Sequence, residues 1–542
     1  MCGITISNNK SLINNDAIKY RGSDDFKEIN HEGFSFLFSR LTIIGLSEDC
    51  MQPFENDKFF VLCNGEIYNY KKLAIKYNIP EPASDTLIVF DLLCLGISPK
   101  VIFEEIIGMY AIVIFQKINK HTHVVRDHYG QKPLWKYKKG DSFSLSSDPK
   151  SFKDLKINKT NFEYYCSCPI NSFYLFEYIE YLDPGNYFQF DEFGNEINKE
   201  KIIKNSSIDL KKIDLSHINT LFEGILNSDF TVKLLLSGGI DSTLVGGVLS
   251  RLSNKLSAIT YRTKESPVES EEVKQICNEL KINLQIDEVK SVEFNRLETV
   301  LEKMTIPTWD SSVIISDILL EKASLSTKVL ITGDGGDENF LGYNRHRLYN
   351  LRRITSIFFN NYNGNNRILS ILFGSKEKFI IASYLGFFNH LNITDNIFSN
   401  FHQDFHKLDD SFILGYMDKK FFLQNLVRRL DVLGLHHNIE VRSPLLNVFI
   451  DNHTVKDFRL LFNNKPILRS FVKKLNLNHL MSSKKRGFEF RDDILYKKIH
   501  TKLINENPLE FSNLDNINVS KKSDRNYLLH CYSSTKFYLK YK

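Results

Sequence analysis

Two glycine-rich segments carry residues that could bind an anion together with a cation. The first, Ser237-Gly238-Gly239-Ile240-Asp241-Ser242, lies between a buried-type strand and a helix. Glycines let a backbone approach an anion, and the N–H groups at a helix start complement negative charge. Asp241 would repel a phosphate unless a divalent cation lay between them, so the segment predicts Mg²⁺ beside phosphates. The segment is not a Walker A motif, because no lysine follows the glycines. A Gly-Gly turn with a purely structural role is the alternative interpretation.

The second segment, Gly333-Asp334-Gly335-Gly336-Asp337-Glu338, follows another predicted strand. Three acids among three glycines would repel one another in a turn that served only structure. They suit a metal ion or a transferred proton instead. A solvated acidic turn is the competing interpretation.

Cys2 follows only the initiator methionine. Removal of Met1 would leave a cysteine with a free α-amine, whose ordinary pKa of about 7.7–8.0 suits a base at neutral pH. Nucleophile and base would then sit on one residue. On Cys2 alone, the ordinary start of a buried strand is the better interpretation.

Other segments of the sequence favour the interpretation of Cys2 as a nucleophile. The hexapeptide at Ser237 resembles the pyrophosphate loop of ATP pyrophosphatases. Together with Cys2 it belongs to an ordered set of segments in both halves of the chain. This set resembles the glutamine-hydrolysing asparagine synthetases and their class II amidotransferase relatives. Its other members are Arg40, Asn64-Gly65-Glu66, Asp85, residues 126–134, the loop at 333–338, residues 440–446 and residues 484–488.

The resemblance implies roles in glutamine hydrolysis for the first half. The Cys2 thiolate would attack the side-chain amide of glutamine, and the Asn64 side chain with the Gly65 N–H would stabilise the oxyanion. Arg40 would pair with the glutamine carboxylate. The remaining implied ligands are Glu66 and Asp85 for the ammonium group, and the backbone of Leu41, Thr42, Ile43 and Ile44.

For the second half the resemblance implies ATP as a substrate and Mg²⁺ as its metal. An acceptor carboxylate would attack the α-phosphorus, pyrophosphate would leave, and ammonia would displace AMP from the acyl adenylate. Asp334 would assist the amination, and Lys485, or its neighbour Lys484, would stabilise phosphate charge. The implied ATP ligands are Leu235, Ser237, Gly238, Gly239, Asp241, Ser242, Ile259, Thr332 and Gly333, with Asp241 and Asp337 on the metal.

The elements that must position these residues change character along the chain. Strands are predicted at 34–44, 59–62, 110–115, 123–126, 143–146, 178–181 and 187–190, with helices at 70–77 and 84–95. The strand at 187–190 is predicted to be the last of the first half, and a polar, Lys-rich stretch at 199–216 predicts the domain boundary. Beyond it, strands at 232–236, 256–261 and 328–332 alternate with helices at 243–252 and 270–280, which predicts a parallel sheet. From about residue 345 helices predominate, with a loop at 360–366. The predicted fold is α/β and α+β. The resemblance implies an N-terminal nucleophile αββα glutaminase domain at 1–205 and an ATP pyrophosphatase domain with a helical C-terminal part at 206–542.

The composition argues against some classes of binding partner. The 542 residues include 42% hydrophobic and 25% charged residues, with a net charge of only +5, so nucleic acid and anionic membranes are not expected partners. No signal peptide or membrane-spanning run is visible, which predicts a cytoplasmic protein. The oligomeric state is left open, with a homodimer as one option.

The acceptor is aspartate in the commonest members of the family. Asn447 stands where Asp is usual, and residues 493–495 lack a frequent Trp. A different carboxylate, such as a sugar uronate in surface polysaccharide synthesis, is therefore the alternative. An inactive glutamine or nucleotide sensor is a third interpretation, against which Cys2, Asp241 and Asp337 argue.

Overall fold

The computed structural model describes residues 2–167, 169, 174–202, 213–254, 256–262, 269–289, 292–355, 413–448, 460, 462–480, 492–512 and 514–542. Within these ranges, no helix is both long enough and apolar enough to cross a membrane.

The first half contains two six-stranded antiparallel sheets. Their strands are β1 (Cys2–Ser7), β2 (Asp25–His31), β3 (Phe34–Arg40), β4 (Phe54–Glu55), β5 (Phe59–Ile67), β6 (Gly108–Gln116), β7 (His121–Arg126), β8 (Trp135–Lys139), β9 (Ser142–Ser146), β10 (Ile179–Tyr181), β11 (Asn186–Phe190) and β12 (Glu196–Lys201). One sheet has the order β10-β8-β9-β1-β3-β2 and the other β12-β11-β7-β6-β5-β4. The helices are α1 (Tyr70–Tyr77), α2 (Leu87–Cys94), α3 (Pro99–Glu105) and α4 (Lys159–Ser167).

Alternating side chains on the strands divide the core of this half into layers. On β5, Phe60 packs with Phe36 and Phe115 between the two sheets, at ring-centroid distances of 4.4 and 6.5 Å. The next residue, Val61, faces the opposite side and packs in the cluster formed with α1 to α3. Trp135 of the other sheet packs on α4 through Phe162. This arrangement follows from the two-residue repeat of a strand and confirms the predicted αββα architecture.

The second half is built on a five-stranded parallel sheet of order β15-β14-β13-β16-β17. Its strands are β13 (Val232–Leu235), β14 (Ser257–Arg262), β15 (Asn283–Glu288), β16 (Val329–Ile331) and β17 (Glu440–Arg442). The helices are α5 (Leu215–Phe222), α6 (Ile240–Leu252), α7 (Glu269–Leu280), α8 (Phe294–Lys303), α9 (Ser312–Ser324), α10 (Gly336–Asn339), α11 (Asn344–Thr355), α12 (Ile413–Met417), α13 (Gln424–His436), α14 (Pro466–Lys474), α15 (Asp493–Asn505) and α16 (Lys522–Tyr541). A π-helical turn, Asp418–Leu423, joins α12 to α13. Because the strands are parallel, the loops after β13, β14, β16 and β17 meet at one edge of the sheet.

The predicted alternation of strands and helices in the second half is confirmed, and α1 has its predicted bounds. Other predicted bounds differ. The strand predicted at 34–44 ends at Arg40, the helix predicted at 84–95 spans Leu87–Cys94, and α6 begins at Ile240 rather than at 243. The loop predicted at 360–366 lies outside the described residues.

Seven strands of the structure are absent from the predicted set: β1, β2, β4, β8, β12, β15 and β17. Several of them are very short or carry little apolar pattern. The prediction that 187–190 is the last strand of the first half is wrong, because β12 pairs with β11 along an exposed edge. The polar stretch that predicted a boundary at 199–216 therefore begins inside a strand. The apolar pattern of the sequence also did not predict the charged strand β15 or the three-residue strand β17.

Buried charges join the two halves. Asp431 of α13 accepts a hydrogen bond from Arg21 Nη2 at 2.6 Å, and Lys132 Nζ lies 3.3 Å from its other oxygen. All three side chains are at most 2% exposed. Buried ions require partners, so this trio fixes how α13 packs on the first half.

Asp431→Asn should leave Arg21 and Lys132 without their counter-charge and lower the free energy of unfolding by about 3–5 kcal/mol. Urea unfolding of the whole chain measures the effect. Glu81→Gln is the matched control, because the Lys71–Glu81 pair is 51% and 61% exposed and should contribute less than about 1 kcal/mol. Equal effects of the two substitutions would contradict the importance of the buried trio.

Candidate active sites

Cys2 begins β1 and lies directly opposite Arg40 of β3 in the strand register. Its backbone nitrogen donates to Asn64 Oδ1 at 3.1 Å. Burial raises the pKa of the Cys2 thiol, while a backbone hydrogen bond from Leu41 and the charge of Arg40 act in the opposite direction. Because the thiolate is the nucleophilic form, a base beside this thiol is chemically required.

Asn64 and Gly65 lie side by side on β5, across from the start of β1. The Asn64 oxygen is occupied by the Cys2 nitrogen, and its Nδ2 lies 3.5 Å from Ser147 Oγ. Gly65 has a φ of +149°, and a Cβ there would lie 1.9 Å from the Met109 carbonyl oxygen. Only glycine fits this position, so any side chain would displace the backbone that carries the predicted oxyanion donor.

Residues 41–44 form a loop rather than the predicted end of a strand. Thr42 N donates to Asp24 Oδ2, and Asp229 N donates to the Ile43 carbonyl, at 2.9 and 3.0 Å. The guanidinium of Arg40 donates to the carbonyl groups of Gly45 and Ser47. The loop is thus held by one acid from each half of the chain, while the pairing of Arg40 with a glutamine carboxylate stays a prediction.

Glu66 and Asp85 lie together in the interior, 3% and 4% exposed. Asp85 does not cap the N-terminus of α2 with its side chain; its Oδ2 accepts from Ile67 N at 2.7 Å. Burial, and then the charge of Asp85, raises the pKa of Glu66 well above its usual range, and burial raises the pKa of Asp85 to about 6. Two buried acids that influence each other's ionisation form a site that favours a cation.

The loop at Ser237 follows β13 and leads into α6, as predicted. Its two serine hydroxyls lie 3.1 Å apart, and Ser242 Oγ donates to the Gly239 carbonyl at 3.2 Å. Gly238 has a φ of +71°. Leu235, at the end of β13, is the register partner of Ile259 on β14. The predicted phosphate and adenosine ligands therefore share the same edge of the sheet.

The two glycine loops touch. A Cβ at Gly336 would lie 2.4 Å from Asp241 Oδ1, and one at Gly333 would lie 2.7 Å from Ser242 N. Thr332, just before the second loop, hydrogen-bonds through its hydroxyl to Ser443 at 3.1 Å. The absence of side chains at the two glycines brings the carboxylates of both loops together.

Lys465 lies between the carboxylates of the two loops. Its Nζ is 2.8 Å from Asp337 Oδ1 and also pairs with Asp241 Oδ2. The side chain is 3% exposed, and the backbone at Lys465 is left-handed, with a φ of +51°. Sequence reasoning missed this lysine, since it stands more than 120 residues from either loop; its position before Pro466 at a helix start was the only local signal.

Asp334 and Glu338 are the other two acids of the second loop. Burial raises the pKa of both carboxyl groups, that of Glu338 to about 7 with help from the charge of Asp337. Tyr343 donates to Glu338. Asp334 also lies within the field of Arg429, which pairs with Asp310. Lys484 and Lys485, the predicted phosphate-stabilising lysines, lie outside the described residues.

Among the described residues, no group of three or more His, Cys, Asp or Glu side chains is arranged to hold a metal ion. Asp241 and Asp337 nevertheless bind one ammonium group between them, so both lie within reach of a common cation. Carboxylate oxygens are ligands that Mg²⁺ accepts, with phosphate oxygens and water completing the shell. This pair therefore fits the predicted metal.

Lys465→Met should leave two carboxylates facing each other without a cation and lower the melting temperature by several degrees. Millimolar MgCl2 should restore part of the loss, because Mg²⁺ would replace the missing positive charge. Thermal unfolding with and without MgCl2 measures both effects. Lys473→Met, an exposed residue on α14, is the control, and an equal response to Mg²⁺ in both variants would contradict the assignment.

The chain is similar to several asparagine synthetases. Asparagine synthetase [glutamine-hydrolyzing] 1 of Bacillus subtilis is 24% identical over 534 residues, covering 88% of this chain and 82% of that protein. The Gallus gallus asparagine synthetase [glutamine-hydrolyzing] is 27% identical over 371 residues, covering 60% of this chain and 63% of that protein. A second B. subtilis asparagine synthetase is 30% identical over 260 residues, covering 42% and 34%.

Family models match both halves of the chain. A glutamine amidotransferase domain matches residues 1–201, and the asparagine synthase model matches residues 223–528. The second match alone covers more than half of the 542 residues. The protein belongs to the asparagine synthase family and carries a glutamine amidotransferase domain in its first half.

Proposed function

We propose that this protein releases ammonia from glutamine at Cys2 and uses it to amidate a carboxylic acid, aspartate in the first instance, with ATP converted to AMP and pyrophosphate. One observation carries the proposal. A cysteine nucleophile site with paired buried acids and a pair of touching glycine loops occur in one chain, packed against each other through β17 and α13. Each half alone would be incomplete, because one produces ammonia and the other consumes it.

In the first half, the α-amine of Cys2 would take the thiol proton after removal of Met1. The sulfur would then attack the glutamine side-chain carbonyl. The Cys2 backbone nitrogen donates to Asn64 Oδ1 at 3.1 Å, and the Asn64 NH₂ group, whose nitrogen lies 3.5 Å from Ser147 Oγ, would direct an N–H toward the oxyanion. The Gly65 N–H would be the second donor. Ammonia would leave, and water would cleave the thioester.

In the second half, the loop at Ser237 would hold the phosphates of ATP by backbone N–H groups and hydroxyls. Mg²⁺ held by Asp241 and Asp337 would neutralise phosphate charge when bound. Lys465 would then be released from the two acids toward the phosphates, where its positive charge is useful. The acceptor carboxylate would attack the α-phosphorus, and ammonia would attack the resulting acyl adenylate at its carbonyl carbon, displacing AMP.

The acceptor is the least constrained part of the proposal. Asn447 follows β17 and is fully buried, and neither polar atom of its side chain has a hydrogen-bond partner among the described residues. A buried amide without partners offers no carboxylate charge to a bound aspartate ammonium. Aspartate remains the proposed acceptor from family membership, with a sugar uronate as the competing outcome. A cytoplasmic location and a homodimer stay proposals as well.

Cys2→Ala and Asp337→Asn should have opposite effects. Cys2→Ala should abolish glutamine hydrolysis yet retain synthesis from ammonium, because the second site is untouched. Asp337→Asn should abolish synthesis from either nitrogen source, because Mg²⁺–ATP loses a ligand, while glutamine hydrolysis continues within about threefold. Glutamate and pyrophosphate assays on both variants measure this. Glutaminase activity in Cys2→Ala, or parental synthesis in Asp337→Asn, would refute the assignment.

The acceptor is identified by pyrophosphate release with ammonium as nitrogen donor. With Mg²⁺–ATP, aspartate should stimulate release of pyrophosphate and AMP in equal amounts, with asparagine as product. Release only with a uronic acid or a nucleotide-linked uronate would assign the protein to polysaccharide amidation. Stoichiometric ADP and orthophosphate would contradict the pyrophosphate-loop assignment, and no turnover with any acceptor would favour a sensor.

A further inference from the structure

Arg442 belongs to β17 of the second half, yet its side chain ends beside the acids assigned to the glutamine ammonium group. Its Nη2 lies 3.4 Å from Glu66 Oε2. The guanidinium is fully buried, and Glu66 is only 4% exposed. The contact therefore crosses from the synthetase half into the interior of the glutaminase half.

The remaining contacts of Arg442 hold its guanidinium rigidly. Nε donates to Glu440 Oε1 at 2.6 Å. Nη1 donates to the carbonyl groups of Ile225 and Asn227 at 2.6 and 2.7 Å. Nη2 is buried and makes no hydrogen bond to any part of the chain that the structure describes. Three hydrogen bonds from Nε and Nη1 thus fix its position, and the third nitrogen, Nη2, faces Glu66.

Acidic groups outnumber cationic groups around this guanidinium. Glu66, Asp85 and Glu440 are three buried carboxyl groups that influence one another, and Arg442 is the side-chain cation that stabilises the ionised form of all three. Salt bridging to Arg442 accounts for Glu440, since the pKa of Glu440 is lowered to about 2 despite its burial. For Glu66, burial and the two neighbouring acids work against ionisation, and Arg442 opposes them.

We propose that Arg442 is a positioning residue of the glutaminase site: its guanidinium lies beside Glu66 and orients this carboxyl group so that Glu66 can bind the α-ammonium group of glutamine. The inference rests on the proposed function, since it assumes that glutamine occupies this site. A protonated Glu66 would present a hydroxyl to an ammonium group and lose the charge-assisted hydrogen bond. Recognition of glutamine by the first half would then require a residue of the second half.

The backbone of Arg442 continues toward the nucleotide site. Its carbonyl accepts from Thr332 N at 2.9 Å, and Thr332 directly precedes the second glycine loop. One residue therefore contacts Glu66 through its side chain and the edge of the ATP site through its main chain. Its position explains why a glutaminase site would be assembled only on a folded synthetase half.

The test compares glutamine with 4-carbamoylbutanoate, which is glutamine without its α-ammonium group. Arg442→Met should raise KM for glutamine and lower kcat/KM about 10- to 100-fold, because a charge-assisted contact is lost. Hydrolysis of 4-carbamoylbutanoate should fall less than about threefold. The preference for glutamine over the analogue, measured as the ratio of kcat/KM values, should therefore collapse in this variant.

A structural role for Arg442 would reduce hydrolysis of both substrates equally, and an unchanged ratio would overturn the proposal. Glu66→Gln should lower the ratio by a similar factor. The double variant Glu66→Gln/Arg442→Met should lower it no further, because Arg442 acts through Glu66. Additive losses would also overturn the proposal. Arg296→Met is the matched control: this partly buried arginine on α8 pairs with Asp317 and Glu321, and its loss should leave the ratio unchanged.

If Arg442→Met does not fold, Arg442→Lys replaces it in the test. It keeps a positive charge but moves it away from Glu66, so the ratio should fall about 3- to 10-fold in the parent and not at all in the Glu66→Gln background. A fall of equal size in both backgrounds would contradict the proposal. If the parent protein itself hydrolyses no glutamine, the proposed function fails. If it does so and no Arg442 variant changes the ratio, only this inference fails.

Discussion

The pairing of buried charges across the junction of the two halves is the constraint on which both candidate sites depend. Asp431 on α13 is held between Arg21 and Lys132 of the first half, all three in the interior. Such ions are costly to bury, and the cost is offset only when the partners are in place. The geometry that satisfies them also brings β17 to the glutaminase half, where Arg442 faces Glu66. Relative movement of the halves would therefore leave charges unpaired at both contacts.

This arrangement gives the edge of the parallel sheet two functions. Loops at the carboxyl ends of parallel strands form ligand sites in α/β folds, and the touching glycine loops follow that rule. β17 belongs to the same sheet, but its Arg442 side chain turns toward the first half. Thr332 N binds the Arg442 carbonyl, so the last strand stands between the nucleotide site and the glutamine site. Adjacent strands of the parallel sheet, β16 and β17, thus lead to the second glycine loop and to the contact with Glu66.

Local sequence predicted those parts of the structure that are determined locally. The loop at Ser237 and the helix at Tyr70–Tyr77 follow from glycine placement and apolar periodicity, and the structure has both. The charged strand β12 was missed because an exposed edge strand needs no apolar face. For Asp85, the sequence allowed a helix cap, whereas its carboxylate in fact accepts from Ile67 N. Residue propensities do not distinguish an acid that caps a helix from an acid that accepts a hydrogen bond from another backbone N–H.

The residues to which sequence patterns assigned no role share one physical property: their partners are distant in sequence. Lys465 meets Asp241 and Asp337 only because the sheet brings both glycine loops to one edge and α14 begins beside them. Arg442 meets Glu66 only when the halves are packed. In each case a single cation lies between acids that would otherwise repel one another, so the acids define a place for a cation before any substrate binds. The ammonium group of glutamine and the metal of ATP would enter environments that the folded chain has already made negative.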